Sequence, residues 1–103
     1  MRRQVIKTES GRITLMVSDH AIKAMAARRG LLGRAGASIV DMAAAVWDNG
    51  LCRALVKHGQ GWLVFEETTE STLCVKTFTP SACKKDHGDL YAMTGAGLRQ
   101  VTA

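Results

Sequence analysis

The stretch Leu51-Cys52-Arg53-Ala54-Leu55-Val56-Lys57-His58, then Gly59-Gln60-Gly61, then Trp62-Leu63-Val64-Phe65-Glu66-Glu67, decides the fold class. β-branched and aromatic side chains dominate it, and these suit a pleated, half-buried surface. Two runs of strand length around a glycine-rich turn predict a hairpin. Thr72-Leu73-Cys74-Val75-Lys76-Thr77-Phe78-Thr79 repeats the pattern after a polar turn at residues 68–71, and Pro80 closes it. Consecutive strands on short connections pair with one another, so the spacing predicts an antiparallel three-strand meander.

Upstream, Ile13, Leu15 and Val17 alternate with Arg12, Thr14 and Met16, the pattern of another half-buried strand. Ser18-Asp19 follows, and either residue can cap a helix by accepting a hydrogen bond from an unpaired backbone N–H. An alanine-rich helix is expected over residues 20–29, with Ile22, Met25 and Ala26 on one face and Arg28 and Arg29 in the last turn. Gly30 ends it, and residues 31–36 form a connector. A second helix is expected over residues 37–48, with Ile39, Met42, Ala43 and Val46 as its apolar stripe, widened by Val40 and Trp47. Asn49-Gly50 stops it.

Residues 1–10 read as polar and partly loose. Residues 81–103 read as a polar tail with an isolated apolar group at Leu90, Tyr91 and Met93, with a short helix, a short strand and a mobile segment all open. The expected fold is one α+β domain over residues 1–103. Its order is strand-helix-helix-strand-strand-strand, an antiparallel sheet with two helices packed on one face. Ile39, Val46, Leu63, Phe65, Leu73 and Val75 are its expected shared core.

Composition bounds the function. The chain has 103 residues, 47% of them hydrophobic, which suffices for one core and is too short for two ordinary domains. Fourteen Lys and Arg against nine Asp and Glu give a formal charge of +5. That balance attracts polyanions such as RNA, DNA or an acidic protein, although the same charge also keeps a small domain soluble. The three cysteines are odd in number and form no C-x-x-C, which reads as reduced thiols in the cytoplasm. No apolar core follows Met1-Arg2-Arg3, and no run approaches the length of a membrane span.

Ser18-Asp19-His20-Ala21, with Met25 and Arg28 beyond it, resembles the first helix of small bacterial domains related to the BrnT toxins and, more distantly, the RelE/ParE toxin superfamily. That helix often reads His-Ala-x-x-Arg-Met-x-x-Arg-Gly-Ile. His20, Ala21, Met25 and Arg28 match in place; Ala24 stands at the first arginine of the pattern and Arg29 at its glycine. The resemblance runs over residues 13–80, through Asp48-Asn49-Gly50, Trp62-Leu63-Val64-Phe65-Glu66 and Leu73-Cys74-Val75-Lys76-Thr77-Phe78. It implies a toxin-like fold. Members of the wider superfamily cut messenger RNA, poison gyrase or do neither, and many pair with an antitoxin.

Metal-free RNA cleavage needs an acid and a base near neutrality and cations on the phosphate. The candidates are His20 as acid or base and Arg28 as phosphate cation. Arg29, Arg53, Lys57, Lys76, Lys84, Lys85 and Tyr91 would contact nucleic acid or a partner, Tyr91 by stacking on a base or donating its proton. Each has a plain structural reading beside this one. His20 caps or flanks a helix start, Arg28-Arg29 is a solvated helix end, Lys84-Lys85 a charged tail, and Tyr91 part of an apolar patch docking that tail. His58 and His87 read as loop and tail residues.

Cys83 and His87 have a spacing that zinc tolerates on a helix, but no second pair follows, so no metal or cofactor is expected. Gly30, Gly33 and Gly36 precede a helix and could cradle a phosphate, yet they fit no Walker motif and read as a connector. Three functions stay open. One is a toxin-like ribonuclease acting on mRNA, free or at the ribosome, with basic residues on the open sheet face. Another is a non-catalytic phage or mobile-element protein that blocks a host or defence complex. The third is a DNA- or gyrase-directed module.

Overall fold

A computed structural model describes residues 1–29, 38–69, 71–81 and 88–101. Seven strands form one sheet: β1 (Arg2–Thr8), β2 (Gly11–Val17), β3 (Arg53–His58), β4 (Gly61–Thr69), β5 (Thr72–Thr79), β6 (Leu90–Thr94) and β7 (Gly97–Gln100). Among the described residues two helices, α1 (Asp19–Ala27) and α2 (Ile39–Asp48), lie between β2 and β3 in the chain. The spatial order is β1-β2-β5-β4-β3-β6-β7.

The class is the expected α+β, and the β3-β4-β5 meander is antiparallel as its short turns require. The expected strand order and the wholly antiparallel sheet are corrected. β2 joins β5 in parallel, and β3 joins β6 in parallel, so the sheet is mixed. A hairpin, β1-β2, is attached to one side of the meander, and a second hairpin, β6-β7, to the other. The N-terminal residues are a strand rather than a loose lead. β1 is an edge strand whose only fully buried apolar residue is Ile6, so its sequence carries almost no alternation to read. The same holds for β7, where four residues bury no side chain fully.

Ser18 is the cap of α1: its Oγ accepts from the Ala21 N–H at 3.0 Å and donates to the Lys76 carbonyl at 2.8 Å, tying the helix start to β5. Ser38 caps α2 in the same way, accepting from the Asp41 N–H. α1 stops at Ala27, with Arg28 as its C-cap, earlier than expected. Its buried face is Ala21 and Ala24, with Met25 packed beside them, while Ala26 is exposed. α1 packs on β5, and α2 touches both β1 and β7, the two edges of the sheet. Six interstrand gaps of about 4.8 Å would hold the edges roughly 29 Å apart in a flat sheet. One helix can meet both edges only if the sheet curls around it, so the helix-bearing face is concave and the other convex.

The main core fills the concave side: Ile6, Ile13, Leu15, Val56, Leu63, Phe65, Leu73, Val75 and Phe78 from the sheet, with Ala24, Met42 and Val46 from the helices. Of the six expected core residues five are fully buried together, and Ile39 is half-buried against them. The β1-β2 turn is pinned to the end of α2. Asp48 accepts from the Glu9 N–H, the Ser10 N–H and the Ser10 Oγ. Partial burial pushes the Asp48 carboxyl up, but these hydrogen bonds outweigh it and hold the pKa below the ordinary 3.8. They also offset the cost of placing an anion at a helix C-terminus.

Candidate nucleic-acid interface

Successive residues of a strand point to opposite faces, so the register assigns every side chain to one side of the curl. Ile6, Ile13, Leu15, Leu73, Phe65, Leu63, Val56 and Met93 face the helices. Their neighbours must face away. On β1 and β2 these are Arg3, Lys7 and Arg12, with Arg3 opposite Met16 and Lys7 opposite Arg12. On β3 they are Arg53 and Lys57, opposite Glu66 and Trp62 of β4. On β7 it is Arg99, opposite Ala92. Lys76 is exposed at the irregularity where the β4-β5 register shifts between Phe65–Val75 and Val64–Thr77, so strand alternation assigns it to neither face. All seven cations are exposed. Among the described residues none of them is in an ion pair.

The convex face has a small apolar floor. Leu55, Val64 and Leu90 are buried on it, with Trp62 and Val101 packed against them. Trp62 is half-buried there, and the Lys57 ammonium sits 5.0 Å from its ring centroid. Cys74 is buried beside Met16 and Glu66; burial pushes its thiol up, Glu66 adds to that, and Lys76 opposes it. A groove of about 330 Å³ opens on Arg3, Met16 and the hydroxyl-bearing Thr14, Thr68, Thr69 and Thr72.

The candidate residues therefore divide. Arg53 and Lys57 share the convex face and Lys76 is exposed at the β4-β5 irregularity, whereas His20, Arg28 and Arg29 belong to the helix layer, exposed at the start of α1 and beyond its end. His20 and Arg28 are eight residues apart, about 12 Å along the helix axis. The Arg28 guanidinium donates to the Phe78 carbonyl at 3.4 Å, leaning on β5. Tyr91 pairs with Val56 on the concave side and is half-buried against the main core, as the docking reading expects. Lys84, Lys85, Cys83, His87 and the glycines at 30, 33 and 36 lie outside the described residues.

His58 ends β3 opposite Gly61, with its ring edge-on to Phe78 at 6.4 Å between centroids. Burial pushes its imidazole below the ordinary 6.5. Cys52 precedes β3 and is exposed, whereas Cys74 is buried within β5. Among the described residues no three His, Cys, Asp or Glu side chains gather as a metal site would require. No described helix is long and apolar enough to cross a membrane.

Sequence reasoning missed Arg3, Lys7, Arg12, Arg99 and Trp62 as parts of one surface. The signal existed for Arg12, which is out of phase with buried Ile13 and Leu15. It was absent for Arg3, Lys7 and Arg99, whose edge strands bury too little to show a phase. Comparison with protein-family models, with curated proteins and with solved structures finds no match.

Proposed function

We propose that this protein binds nucleic acid without cutting it, gripping the phosphate backbone with the convex face of its sheet. The observation that carries this reading is the placement of Arg3, Lys7, Arg12, Arg53, Lys57 and Arg99 on one side of the sheet, exposed and without ion pairs among the described residues. Six cations spread over β1, β2, β3 and β7, against the half-buried Glu66 opposite Arg53, favour an extended polyanion over a small ligand. Blocking a host or defence complex would follow from occupying its nucleic acid.

The toxin-like ribonuclease has less to rest on. His20 and Arg28 lie in the helix layer, apart from the cations that would hold RNA. Ala24, at the first arginine of the BrnT-like pattern, is buried against the core, where an arginine would bury a charge.

The test is a salt titration of binding to a labelled RNA strand, with an RNA-cleavage assay on the same protein. Affinity should fall linearly on a log–log plot as salt rises. Reversing Arg53→Glu and Lys57→Glu together should weaken binding by about tenfold or more, with thermal unfolding confirming that the variant folds, since the first change sets two carboxylates opposite each other across β3-β4. RNA should stay intact, and expression in bacteria should not arrest growth. Cleavage or arrest that His20→Ala or Arg28→Ala relieves would replace this reading with the ribonuclease.

A further inference from the structure

The basic face carries one aromatic side chain among its cations. Trp62 is paired across β4-β3 with Lys57 and across β4-β5 with Thr79. Part of its indole rests on the floor made by Leu55, Val64 and Leu90, which fixes the ring in place, and part stays exposed. A tryptophan held this way loses little side-chain freedom when something settles on it. What can settle on it is limited by shape. The ring belongs to a convex sheet rather than to a projecting loop, so it does not insert between paired bases. A base inside a duplex already has its two faces stacked on neighbours. An unpaired base has a free face, and stacking such bases on sheet-borne aromatic rings is a general mode of single-strand recognition.

Charge surrounds the ring at the right scale. The Lys57 ammonium lies 5.0 Å from the ring centroid, and moving it from the ring to a phosphate costs only an exposed cation–π contact. Arg53 is four residues away on the same strand, about 13 Å along β3, so the two cations reach different phosphates of one strand.

Resting on the reading of the convex face as a nucleic-acid surface, we infer that its ligand is single-stranded, with an unpaired base stacked on Trp62 and flanking phosphates held by Lys57 and Arg53. RNA and single-stranded DNA share this chemistry, since every base has a π-face.

The experiment measures fluorescence anisotropy of a labelled strand of about 12 nucleotides. It is run as RNA, as DNA of the same sequence, and as the matching duplex. The single strands should bind about tenfold more tightly than the duplex. Trp62→Leu keeps an apolar side chain over the floor but removes the π-face, and should weaken single-strand binding by about 5- to 150-fold with the duplex little changed. Trp62→Phe retains a ring and should recover most of the loss; thermal unfolding of both variants confirms that they fold. Equal affinity for RNA and DNA would assign the contact to bases and phosphates, and tighter RNA binding would add a 2′-hydroxyl contact; both support the inference. A duplex that binds as well as the single strands would overturn it. So would Trp62→Leu without effect while the double reversal at Arg53 and Lys57 abolishes binding, an outcome that leaves the basic face standing. Binding of neither form would bring down both readings.

Discussion

The two faces of the sheet are built from the same strands and differ only in which alternate residues they show. On the concave face Phe65, Leu63, Val75 and Leu73 meet two helices and are fully buried. On the convex face the equivalent positions of β3 and β4 bury only Leu55 and Val64, and exposed cations surround them. Cross-strand pairing supplies both faces with hydrogen bonds, so the backbone does not distinguish them. What distinguishes them is that the concave side packs a large apolar area against the helices, whereas the convex side buries a small patch with Trp62 and Val101 packed against it. The concave face should therefore govern stability, and the convex face should be free to serve binding.

The sharpest way to break this contrast is to cut into the concave core. Phe65→Ala should destabilise the protein by about 3–5 kcal/mol in denaturant unfolding, from lost burial plus the cavity left behind. A loss under about 1 kcal/mol would mean that the helices do not seal that face.

A smaller effect is expected at the end of the β3-β4 hairpin. A Cβ on Gly61 would stand 2.3 Å from the tip of the Phe78 ring and 3.0 Å from the Thr79 carbonyl oxygen. Phe78 is buried and has little room to withdraw, so Gly61→Ala should cost about 1–3 kcal/mol. Phe78→Leu in the same chain should relieve part of that cost, and additive losses would show that ring and backbone do not meet there.

The smallest effect is a dependence on pH. Burial depresses the His58 imidazole, so as acid is added the unfolded chain takes up the proton first. The stability this group contributes is complete above 6.5, its unfolded value, and is lost as pH falls through its depressed folded value. Asp48 follows the carboxylate rule: its contribution is complete above 3.8 and is lost as pH falls through a value below that. Melting temperature should thus drop in two acid steps. His58→Gln should remove the upper step alone, and persistence of that step would assign it to another group.

How much could be read beforehand follows from the same contrast. The meander was legible because β3, β4 and β5 bury residues on both faces, and continuous apolar runs bounded by turns announce such strands. The helices were legible from their stripes and from Ser18, although alanines misplaced the inner face of α1 by one position, since propensity alone does not say which alanine is buried. β1 and β7 were not legible, because an edge strand with one or no buried apolar residue has no phase. Nor was either parallel pairing, since partners such as Leu15 and Leu73 or Leu55 and Leu90 meet across long separations. Of the candidate site, Arg53 and Lys57 were found by residue type, while their grouping with Arg3, Arg12 and Trp62 needed the register.

The parallel join of β2 to β5 also sets a timetable for the nascent chain. Val17 pairs with Val75, and the Ser18 N–H donates to the Val75 carbonyl at 3.1 Å. During synthesis the first hairpin and both helices emerge before the strand that gives them a place. At translation rates of about 5–20 residues per second, they wait several seconds for β5. In that interval the unpaired edge of β2 and the apolar stripe of α2 are open to any neighbour, and the meander, closed by short turns, is the first part able to shelter them.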